Sequence, residues 1–84
     1  MTPELQRYYE QRISMMGDPA WRDLMEDVRV MLEATNDISA IQDEKSLHFK
    51  RGEISIMRWL LSLEQISRDS YDQLREEDEA AKGL

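Results

Sequence analysis

Between Ile54 and Leu63 the chain reads Ile-Ser-Ile-Met-Arg-Trp-Leu-Leu-Ser-Leu, and this apolar segment wraps too far around a helix to be covered by one neighbour. At roughly 100° per residue, Phe49, Ile56, Leu60, Leu63 and Leu74 share one wide face flanked by Trp59 and Ile66. Leu47, Ile54, Met57 and Leu61 form a second face. One face suffices to join a helix to its own domain. The other implies a partner, and the simplest partner for an 84-residue chain is a second copy of itself.

Size sharpens the point. A domain this small buries only about 60% of its unfolded surface and is marginal without reinforcement. The chain has no cysteine, which removes disulfides, thiolate zinc sites and cysteine nucleophiles together and fits a reducing compartment. No apolar signal region follows the N-terminus, and the longest apolar run in the central segment is Trp59-Leu60-Leu61, far short of the roughly 20 residues that span a bilayer. The expected setting is the cytoplasm of a host cell or the inside of a virion, with no membrane partner.

Eleven Lys and Arg against eighteen Asp and Glu give a formal charge of −7, a field that repels nucleic acid. The charge is polarised along the chain. Residues 69–79 hold six acids and one arginine, whereas residues 45–51 hold three cations and the only histidine, without an acid.

Punctuation divides the chain into three helices. Thr2-Pro3-Glu4 is a helix start, with Thr2 as N-cap and Pro3 where its missing N–H is of no consequence. Gly17 is placed to stop that helix, and Asp18-Pro19 repeats the start. In the second helix Trp21, Leu24, Met25, Val28, Met31, Leu32, Thr35 and Ile38 fall on one stripe, opposite an acidic face. Side chains that compete with helical hydrogen bonds cluster between Asn36 and Asp43, which places a turn there. Only Gly52 interrupts the long run that follows. The expectation is an all-α chain with helices over residues 3–16, 19–38 and 43–80: a helical hairpin with one long C-terminal helix and a short N-terminal helix, forming one oligomeric bundle. The acidic segment 69–79 is the expected overhang, frayed by its own charge.

Candidate chemistry is sparse. His48 lies among cations with no serine motif beside it, and Gly17, Gly52 and Gly83 are too far apart for a phosphate loop. Glu44 and His48 have the spacing of helix-borne metal ligands, but two ligands make no site without oligomer symmetry, and a salt bridge explains the pair equally. No catalytic, cofactor-binding or metal-binding residue is assigned, and the reading is non-enzymatic. Lys45, His48, Lys50 and Arg51 form a basic cluster open to an anion, whether a phosphate, a nucleotide ligand or a neighbour's acidic segment. A solvated patch balanced by Glu44 and Glu53 accounts for it as well. Trp21 is expected at the end of the hairpin core. Ile54, Met57, Trp59, Leu61, Tyr71 and Leu74 are the expected interface residues, with Trp59 as anchor.

The stretch Asp43-Glu44-Lys45-Ser46-Leu47-His48-Phe49-Lys50-Arg51-Gly52-Glu53-Ile54, continuing through Ile56-Met57-Arg58-Trp59-Leu60-Leu61-Ser62 to Tyr71-Asp72-Gln73-Leu74, resembles small all-helical proteins of tailed bacteriophages. The resemblance covers residues 41–74 and carries no catalytic motif. It implies a phage origin and, with the two apolar faces, a self-associating structural or assembly protein of the particle, whose partners are itself, other phage structural proteins or a host protein. The alternative is a small acidic inhibitor that binds a host protein or sequesters an anionic ligand.

Overall fold

A computed structural model describes every residue except Ile38, Ala40 and Leu84. It is all-α, with three helices and no strand among the described residues. Helix α1 is Pro3–Met16, α2 is Pro19–Thr35 and α3 is Glu44–Lys82.

The helix starts are set by local chemistry. Thr2 accepts the Leu5 N–H at 3.1 Å, Asp18 the Ala20 N–H at 2.8 Å and Asp43 the Ser46 N–H at 2.6 Å, each satisfying one of the orphan donors of a first turn. The Asp43 carboxyl is held below its ordinary value by the Ser46 backbone bond first and the Ser46 side chain second. Gly17 closes α1 with ordinary right-handed dihedrals, its N–H reaching the Ile13 and Ser14 carbonyls at 3.2 Å. Helix α2 ends at Thr35 with Asn36 as its C-cap, short of the expected 38, and Ile38 lies outside the described residues. In the connection, Asp37 accepts both the N–H and the hydroxyl of Ser39, and Lys50 on α3 reaches back to the Asp37 carbonyl at 3.1 Å.

Helix α3 has 39 residues and so spans about 58 Å, matching the 59 Å long axis of the molecule. The other two helices lie along it in sequence. Helix α1 runs antiparallel to the C-terminal half: the Met1 amine lies 2.7 Å from Asp78 Oδ1, and Tyr71 donates its hydroxyl to Glu10 at 2.7 Å. Helix α2 lies along the N-terminal half, where Trp21 and Met25 share a cleft with Leu60 and Leu61 at one end and Met31 and Thr35 line a groove with Phe49, Gly52 and Met57 at the other. The acidic segment is therefore no overhang. α1 docks on it, and the helix continues unbroken to Lys82.

This arrangement buries little. Among the described residues only Met16 and Val28 are buried apolar side chains, with Ser67 the one buried polar residue. The accessible surface is 6642 Å², against about 5,200 Å² for a compact monomer of this mass. The radius of gyration is 17.9 Å, where a compact domain of this length has about 12 Å. Two layers of helix side by side leave α3 with a face that has no neighbour.

Candidate surface for association

The α2 stripe splits into two rows. Val28 is buried and Trp21, Met25, Leu32 and Thr35 are half-buried against α3, whereas Leu24 and Met31, seven residues apart, remain 50% and 58% exposed. Helix α3 splits in the same way. Ile54, Met57 and Leu61 are half-buried, Met57 and Leu61 beside residues of α2, so these three expected interface residues are half-covered within the chain. Phe49 (71% exposed), Ile56 (65%), Trp59 (52%) and Ile66 (46%) stay largely in water, Phe49 and Ile56 at the edge of a groove shared with Met31 of α2. A helical wheel gives the two faces nearly equal apolarity, and only the docking of α2 decides which is left over.

The leftover face has a regular repeat. Phe49, Ile56 and the half-buried Leu63 recur every seven residues, as do Gly52, Trp59 and Ile66, offset by three. Alternating steps of three and four residues make the seam that paired helices use. Gly52 sits in this row, and a Cβ built on it meets nothing within 4 Å. Glycine inside a helix costs about 1 kcal/mol relative to alanine, and no contact inside the chain requires it.

The two sides of the α2–α3 seam differ. One is a polar cleft in which Arg22, Glu26, Arg29 and Glu64 border Trp21, Met25, Leu60 and Leu61. Glu26 pairs with Arg29 at 3.8 Å and Glu64 with Arg68 at 3.2 Å. The other is an open groove of about 590 Å³, where Met31 from α2 and Phe49, Gly52, Ile56 and Met57 from α3 leave His48 and Glu53 as the charged or titratable members. Apolar surface continues from Leu24 to Met15 of α1 across a shallow hollow.

Of the six expected interface residues, Trp59 alone keeps more than half its surface. Tyr71 is engaged inside the chain: it stacks edge-on against Tyr9, with centroids 5.9 Å apart, and bonds Glu10. Leu74 is half-buried on the α1-covered half. The Glu10 carboxyl is held below its ordinary value by the Gln6 amide first and the Tyr71 hydroxyl second, and the same bond to Glu10 pushes the Tyr71 phenol up. Phe49, Ile56 and Ile66 are more exposed than Ile54, Met57, Leu61, Tyr71 and Leu74. A seven-residue spacing in the sequence links Phe49 to Ile56 and Trp59 to Ile66.

The basic cluster does not converge. Lys45 and Lys50 share a hollow with Ile41, Ser46, Phe49 and Glu53, and the Lys50 ammonium is bonded to the Asp37 carbonyl. His48 lies on the apolar-groove side and meets Glu44 at 3.5 Å. Among the described residues no group of three or more His, Asp or Glu side chains is gathered to hold a metal ion. No helix is long and apolar enough to cross a membrane, over the same residues.

Compared with known proteins, the chain matches no family model, no curated sequence and no solved structure.

Proposed function

We propose that this chain is a non-enzymatic, self-associating structural or assembly protein. One observation carries the reading: the row Phe49, Ile56, Trp59 and Ile66, 46–71% exposed on an otherwise regular helix, in a molecule whose surface exceeds that of a compact monomer by more than 1,000 Å². An exposed apolar row of this length is a docking surface, and a standard interface removes about 800 Å² from each partner. The resemblance of residues 41–74 to tailed-phage proteins supports a role in a phage particle or in its construction, inside the host cell or the virion. The expected partner is a second copy, and other phage structural proteins would join through the same face.

The inhibitor reading is supported less. Its acidic segment is partly engaged by α1 through Asp78 and Tyr71, and its four-residue anion cluster is spread around α3. Sedimentation equilibrium from low to high micromolar concentration, with circular dichroism on the same samples, tests the proposal. A discrete helical oligomer is the expected result. A fully helical monomer throughout the range overturns self-association and leaves the face to a foreign partner.

A further inference from the structure

We infer that the partner is a second copy lying antiparallel along α3, in one defined register, with the two-fold axis between Met57 and Arg58. This rests on the self-association proposed above and specifies its geometry.

The outer row, exposed at Phe49, Gly52, Ile56, Trp59 and Ile66 and half-buried at Leu63, is symmetric about its own centre. In an antiparallel pair centred between 57 and 58, Phe49 faces Ile66 of the other copy, Gly52 faces Leu63 and Ile56 faces Trp59. Every layer then holds one residue from each of the two seven-residue repeats, which is how antiparallel helices mesh. The sizes balance as well. A parallel pair would set Trp59 against Trp59 and leave Gly52 against Gly52, giving one overfilled layer and one empty one, and cores tolerate neither. In the antiparallel pair the open space over Gly52 takes Leu63 beside the indole of the adjoining layer.

Charge selects the same orientation. Parallel helices would lay the six acids of residues 69–79 against their own copies. Antiparallel helices separate the two acidic segments by roughly 50 Å, several Debye lengths. Surface area supports an interface of this extent: an excess of more than 1,000 Å² per chain is enough to supply a standard interface of about 1,600 Å² in total. Met31 and Leu24 of α2, 58% and 50% exposed, flank the seam and widen it.

The absence of cysteine allows single nitroxide labels at Ser55→Cys and Gln73→Cys, both exposed on α3. Ser55 lies near the axis in either orientation, within about 15 Å of its copy, and serves to detect association of this face. Gln73 is far from the axis. Its copy should lie roughly 46 Å away in the inferred pair and about 10 Å away in a parallel one. Short-range coupling at Ser55 with a distance near 46 Å at Gln73 is the expected outcome. Coupling at Ser55 with a short Gln73 distance overturns the orientation and leaves self-association standing. A Gln73 distance displaced by about 10 Å, one seven-residue slip, overturns the register. A dimer in sedimentation without coupling at Ser55 overturns the choice of face. No dimer and no coupling at either site overturns the proposed function and this inference together.

Discussion

Ile56→Glu separates the stability of the single chain from its association. Ile56 is 65% exposed, so within one chain the change falls among surface substitutions, which stay within about 0.5 kcal/mol. Glutamate is also the better helix former of the two. In the paired state the side chain faces Trp59 of the other copy. Burying an isoleucine completely is worth about 1.5–3 kcal/mol, and with about two-thirds of Ile56 still in water, about 1–2 kcal/mol remains to be gained per copy. Two copies per dimer raise this to about 2–4 kcal/mol, a 30- to 1,000-fold weaker dissociation constant. The desolvated carboxylates make that a lower bound. Sedimentation equilibrium gives the constant, and urea unfolding at the lowest measurable concentration gives the stability of the separate chain. An unchanged dissociation constant refutes the reasoning, as does an unfolding loss at low concentration as large as the loss in association.

Gly52→Ala should stabilise the dissociated chain by about 1 kcal/mol, raising Tm by about 4–8 °C in scans at low concentration, because the new methyl enters open space. The contact between Tyr71 and Glu10 makes α1 docking dependent on pH in both directions. Glu10, depressed below 4.5, contributes stability that is present above pH 4.5 and lost as the pH falls through its lowered folded value. Tyr71, raised above 10.0, contributes stability that is present below pH 10.0 and lost as the pH rises through its folded value. Tyr71→Phe should therefore remove the alkaline loss while leaving α2 unaffected, as read by hydrogen exchange along α1. Asp18→Ala should cost about 1 kcal/mol in chemical unfolding through loss of the bond to the Ala20 N–H, and Asp18→Ser should recover most of it.

What was legible in the sequence is what is decided within a few residues. Thr2-Pro3, Asp18-Pro19 and Asp43 set the helix starts because a cap needs only its own first turn, and Gly17 marks the break even though its dihedrals are those of any residue. The long helix was legible from the absence of breakers. The placement of α1 was not: residues 69–79 look like a self-repelling overhang until Glu10 and Met1 are brought to Tyr71 and Asp78, partners 61 and 77 residues away in the chain. Nor was the identity of the free face. Ile54, Met57 and Leu61 are as apolar as Phe49, Ile56 and Ile66, and periodicity within α3 contains nothing about which row α2 covers. The seven-residue spacing of the outer row was present throughout, but it becomes informative only once the inner row is accounted for.

The break at Gly17-Asp18 beside an unbroken α3 has a consequence for how the molecule opens. α1 and α2 grip opposite halves of the long helix and have little to hold them to each other, so each is a separate cooperative unit whose free energy of opening is its own. Hydrogen exchange should fall from both tips toward the middle, where Met16 and Ser67 are closed to water, and the two gradients should respond independently to perturbation. Association along the outer row would change this. A second long helix laid across the midpoint spans both halves at once, and the pair would then melt as one unit where the single chain frays from two ends.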